Sequence, residues 1–123
     1  MKIEGLFKEH FIHWAKKREP FRFNKYTKTL ICFGKSFFEF PLAFQINAYS
    51  VFLDESEVCI SIDPYLGGGT PAYFAYIRYR NEHHIDVQLD VHNGNEAEFW
   101  TRHEATLAAL EQAIKIYESQ QPF

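Results

Sequence analysis

The chain has 123 residues, 46% of them hydrophobic, including 13 Phe, 7 Tyr and 2 Trp, and its 13 Lys/Arg against 16 Asp/Glu give a formal net charge of −3. That length suits a single domain over residues 1–123, with a ring-rich core that needs no metal or disulfide support. Cys32 and Cys59, outside any Cys-x-x-Cys spacing, exclude a disulfide scaffold and a cysteine-based zinc site, and no apolar run nears the about 18 residues of a membrane helix.

Residues 2–17 predict a helix, because Ile3, Leu6, Phe7, His10, Phe11 and Trp14 recur at three- and four-residue steps. The helix must stop before Pro20. His10 and His13 are one turn apart on it, but no third ligand follows, so they are read as packing histidines. This first segment has neither an apolar signal region nor a small-residue cleavage site, which leads us to expect a cytoplasmic protein.

Residues 18–29 interleave Arg22, Lys25 and Lys28 with Phe21, Phe23 and Tyr26, and read as a connecting loop or edge strand. A short apolar strand is expected over residues 30–34, and a second over 36–42, broken at Pro41. Residues 44–53 are apolar at both parities and predict a central strand. A polar turn at residues 54–57 leads to a strand from Val58 to Asp63, then to a Gly-rich loop over residues 63–71. Its three glycines precede a strand instead of a helix, and no Gly-Lys-Ser/Thr follows, so it is not a phosphate cradle.

The clearest signal is a hairpin made by Ala72–Arg80 and residues 85–92. Ile85-Asp86-Val87-Gln88-Leu89-Asp90-Val91-His92 alternates apolar and polar without fault. A loop at Asn81-Glu82-His83 would set Tyr79 opposite Ile85, Ile77 opposite Val87, Ala75 opposite Leu89 and Arg78 opposite Asp86. The outer face then carries Phe74, Tyr76, Arg78, Asp86, Gln88, Asp90 and His92. A final helix starts after Asn95, or after Thr101, where Thr101-x-x-Glu104 has capping-box spacing, and runs to about Glu118. Its expected stripe is Phe99, Trp100, His103, Leu107, Leu110, Ile114 and Tyr117. The expected fold is α+β: an N-terminal helix, an antiparallel sheet of about five strands in hairpins, and a C-terminal helix packed with the first on that sheet.

No Gly-x-Ser-x-Gly or cysteine–histidine arrangement marks a nucleophile, and both cysteines lie in apolar runs where they are expected reduced and buried. No catalytic residue, metal ligand or cofactor is therefore assigned. The outer hairpin face mixes rings, an arginine and carboxylates, the composition of protein-binding surfaces. Residues 1–35 hold nine Lys/Arg and three Glu, whereas residues 36–123 hold four Lys/Arg and thirteen Asp/Glu. An acid-rich surface suits a cationic protein partner. The leading expectation is a small protein-binding, occluding domain, concretely a bacterial immunity protein or antitoxin that inhibits a toxin such as a nuclease. Nucleic-acid binding through residues 16–35 is the second reading. A small enzyme or ligand-binding domain using Asp86, Asp90 and His92, with His84 as a further metal candidate, is the third. No membrane partner is expected.

Overall fold

Aromatic residues at helical spacing make the first element, α1 (Gly5–Ala15), which buries Phe7, Phe11 and Ala15 along one side. It belongs to a computed structural model that describes residues 2–122. The described residues form three α-helices and two three-stranded antiparallel sheets, so the fold is α+β without the single sheet of about five strands. Backbone contacts divide them into two compact units, residues 2–52 and residues 53–122.

In the first unit, β1 (Phe21–Asn24), β2 (Thr29–Cys32) and β3 (Lys35–Ser36) form one sheet in that order. The strand expected over 36–42 is cut short after Ser36 by a single turn of 3-10 helix at Phe37–Glu39. Residues 44–53, expected as a central strand, belong instead to helix α2 (Leu42–Glu55). Pro41 stands at the start of this helix instead of breaking a strand: its carbonyl accepts the N–H groups of Phe44 and Gln45, and its missing N–H costs nothing where the first N–H groups of a helix have no intrahelical acceptor. The core of the unit is a cluster of rings, with Phe11 4.8 Å from Tyr49 and 5.4 Å from Phe37, and Phe7 5.6 Å from Phe52. One polar pair is buried among them. The Tyr49 hydroxyl donates to Gln45 Oε1 at 2.7 Å, and Gln45 Nε2 donates to the Phe40 carbonyl at 2.8 Å. Cys32 is buried in β2.

In the second unit, β4 (Val58–Tyr65), β5 (Ala72–Arg80) and β6 (Asp86–Val91) make a sheet in that order, and α3 (Arg102–Ser119) packs mainly on β4 and β5. The period-2 alternation sorts the sheet residues. Val58, Ile60, Ile62, Ala75, Ile77, Tyr79, Val87, Leu89 and Val91 share the helix-side face. Helix α3 starts at the second of its two expected positions, with Thr101 Oγ1 accepting from the Glu104 N–H at 3.1 Å. Of its expected stripe, Phe99, Leu110 and Tyr117 are buried and Leu107 and Ile114 are half-buried. Ala105, Ala109 and Ala113, each fully buried, bring the helix close to the sheet together with Leu110, Ile116 and Tyr117. Trp100 and His103 are exposed.

The hairpin register differs from expectation by two residues. Tyr79 faces Val87, Ile77 faces Leu89, Ala75 faces Val91, Arg78 faces Gln88, and Arg80 faces Asp86. Asn81 sets this. Its side-chain Oδ1 accepts the N–H groups of His83 at 2.9 Å and Ile85 at 3.0 Å, while its carbonyl accepts from His84. Asparagine favours that first turn position, so the turn is Glu82-His83-His84, closed by the bond from Asn81 N–H to the Ile85 carbonyl. His84 takes the left-handed backbone conformation the turn requires, with φ 59°. Because the slip is two residues, every side chain keeps its expected face. Ile85, expected to face the core, lies in the turn region and is 59% exposed.

Candidate functional site

The sheet face turned away from α3 is built by the even positions of β5 and β6. Phe74, Tyr76, Arg78 and Arg80 share it with Asp86, Gln88 and Asp90, and β4 adds Cys59, Ser61, Asp63 and Tyr65. Six of the seven residues expected on this surface are thus brought together. The seventh, His92, lies one residue past the end of β6, where the chain turns through the bond from Asn93 N–H to the Glu96 carbonyl.

The face is graded along the strands. One end is aromatic, with the Tyr65 and Phe74 rings 6.3 Å apart in an edge contact and Tyr76 next along β5. The other end is charged. Arg78 Nε donates to Gln88 Oε1 at 3.2 Å, and Arg80 Nε donates to Asp86 Oδ1 at 3.3 Å. The expected pairing of Arg78 with Asp86 is therefore replaced by these two contacts. A groove of about 460 Å³ lies at this end, lined by Asp54, Glu57, Cys59, Arg78, Arg80, Asp86 and Gln88 among others.

Sequence reasoning missed Asp54, Glu57, Cys59 and Arg80 here. Arg80 was legible, since it shares the parity of Arg78, but the misplaced turn hid its partner. Cys59 is partly exposed, which corrects its expected burial, while both thiols are free as expected. Burial pushes the Cys59 thiol up first, then a hydrogen bond to Asp54 and the charges of Asp54 and Glu57 push it further. A thiol so placed resists ionisation and is a weak nucleophile at neutral pH.

The metal candidates do not converge. His84 lies in the turn at one end of β6 and His92 beyond the other, while Asp86 and Asp90 are four residues apart on one strand, about 13 Å along it. Among the described residues, no group of three or more His, Cys, Asp or Glu side chains is placed to hold a metal ion. Among them, too, no helix is long and apolar enough to cross a membrane.

No protein-family model, curated protein or solved structure matches the chain. The functional reading therefore rests on the chemistry of this face and on where the charges lie.

The charges follow the two units. Residues 2–52 hold nine Lys/Arg and four Glu, a net +5, whereas residues 53–122 hold four Lys/Arg and twelve Asp/Glu, a net −8. In the basic unit, several cations sit over rings: Lys8 over Phe38 at 4.6 Å, Lys16 over Phe23 at 5.4 Å, Arg18 over Trp14 at 4.6 Å and Lys35 over Phe40 at 5.2 Å. Rings used in this way are part of the fold and are not free platforms for bases.

Proposed function

We propose that this chain is a binding protein that acts by occluding a protein partner, concretely an immunity- or antitoxin-type inhibitor of a cationic toxin such as a nuclease. The observation that carries this reading is the graded sheet face, in which the exposed Tyr65 ring, the half-buried Phe74 and Tyr76 rings and exposed carboxylates share one surface of the acid-rich unit. Tyr65, Phe74 and Tyr76 supply apolar anchors, and Asp86 and Asp90 supply attraction for a cationic surface. A second reading, single-stranded nucleic acid held by residues 16–35, has one observation in its favour: Tyr26 is 96% exposed between Lys25 and Lys28.

Charge reversal separates the two. In a pull-down from the native host, Asp86→Lys with Asp90→Lys should abolish capture of the partner. Reversing Lys16, Lys17, Arg22 and Lys25 to Glu should leave capture intact. A thermal melt of each variant controls for folding: Asp90→Lys should change stability by no more than about 0.5 kcal/mol, and Asp86→Lys, which loses the Arg80 contact and sets two cations opposite each other, by up to about 1 kcal/mol. Capture that survives the acidic reversal and is lost with the basic one would place nucleic acid ahead.

A further inference from the structure

Antiparallel pairing makes successive residues of an outer strand point their N–H and C=O groups alternately into the sheet and away from it. On β5, Tyr73 exchanges both backbone bonds with Phe99, and Asn81 donates to Ile85, so its odd positions bond toward the β6 side. Their partners Val87, Leu89 and Val91 therefore bond inward. Asp86, Gln88 and Asp90, opposite Arg80, Arg78 and Tyr76, point their backbone groups outward. Among the described residues, none of these three makes a backbone hydrogen bond beyond the sheet.

The two edges of this sheet differ. On β4 the outward positions are those paired with the odd residues of β5, and one of them is Pro64, which has no N–H to give. No proline interrupts β6. On the helix side of β6, Val87 and Leu89 stay half-exposed, because α3 lies over β4 and β5. A groove of about 430 Å³ runs there, walled by Leu89 and Val91 on the strand and by Ala108, Glu111, Gln112 and Lys115 on the helix.

We infer that β6 is a strand-addition site for an extended segment of another protein in which basic and apolar residues alternate. Such a segment would set its basic side chains beside Asp86, Gln88 and Asp90 on the open face, and its apolar ones into the groove beside Leu89 and Ala108. A second copy of this chain does not suit the edge. Antiparallel self-pairing centred on Gln88 would put Asp86 against Asp90 twice, a like-charge opposition. The inference rests on the proposed function only for the cationic character of the partner, and it adds how that partner is held.

The test uses the full chain and a blocked peptide of about eight residues that alternates Val and Lys. Three further peptides are compared: one N-methylated on the Lys amides, one N-methylated on the Val amides, and one with the same composition in scrambled order. In antiparallel addition, the orientation inferred for this edge, the Lys residues sit directly opposite Asp86, Gln88 and Asp90, so the Lys amides face β6 and the Val amides face away. The parent and Val-methylated peptides should bind alike, while Lys methylation, scrambling or Asp86→Lys with Asp90→Lys should each weaken binding by about tenfold or more. Amide exchange at Asp86, Gln88 and Asp90 should slow in the parent complex. Equal binding of both methylated peptides, or unchanged exchange at those three amides, would overturn strand addition and leave the acidic face as a surface that attracts charge alone. Failure of the parent peptide to bind would also overturn it, and the host pull-down would then judge the face independently.

Discussion

At the scale of single residues, two polar groups show how context sets chemistry. Tyr49 is buried among rings, and burial raises the pKa of its hydroxyl, which satisfies itself by donating to Gln45. Tyr49→Phe keeps the ring contacts but removes the Gln45 Oε1 partner, and should cost about 1–3 kcal/mol in a denaturant melt. Cys59 is a thiol at a groove whose ionisation is opposed first by burial and then by the neighbouring Asp54 and Glu57 carboxylates. Its raised pKa means that less thiolate is present at neutral pH than in the unfolded chain, so alkylation of the native protein should be slow and should accelerate as pH rises. Asp54→Asn should speed the reaction at fixed pH, since it removes a charge that opposes the thiolate. Cys32 is raised by burial as well. For both thiols the unfolded chain ionises first, so stability is full below the ordinary thiol range and falls as pH rises through and above it. Rapid labelling of Cys59 at neutral pH would count against this account of the groove.

At the scale of elements, alternation and turn chemistry carried different amounts of information. Strands β4, β5 and β6 were legible because one face of each is apolar, and the outer face followed from parity alone. The register was not legible from hydrophobicity, because a two-residue slip preserves both faces; Asn81 decides it through its own side chain. Asn81→Ala should therefore cost about 1 kcal/mol and loosen the 82–84 turn, seen as faster amide exchange at His83 and Ile85. Helix α2 was misread for a physical reason. Phe44, Ile46, Ala48, Tyr49, Val51, Phe52 and Leu53 are apolar all round, and an apolar run of that kind fits a buried strand as well as a buried helix. Pro41 was the available signal. In helix α3 the buried Leu110 and Tyr117 were legible from their size and spacing, but Ala105, Ala109 and Ala113 were not; they face the sheet because small side chains permit the closest approach. In the other unit, Phe11→Ala would open a cavity under Tyr49 and Phe37 and should destabilise by about 3–5 kcal/mol.

At the scale of the whole molecule, charge asymmetry along the sequence becomes asymmetry between two compact units, basic in residues 2–52 and acidic in residues 53–122. The acidic unit holds the graded face and the unpaired edge of β6, and both features meet in Asp86, Gln88 and Asp90. The central claim is that this face, and not the basic segment, engages a protein partner. Residue-resolved hydrogen exchange of the full chain, with and without the partner captured from its host, tests it most directly. Protection on binding should concentrate at Asp86, Gln88 and Asp90, whose backbone groups point away from the sheet, and residues 16–35 should exchange as they do alone. Protection confined to residues 16–35, with β6 unchanged, would contradict the account.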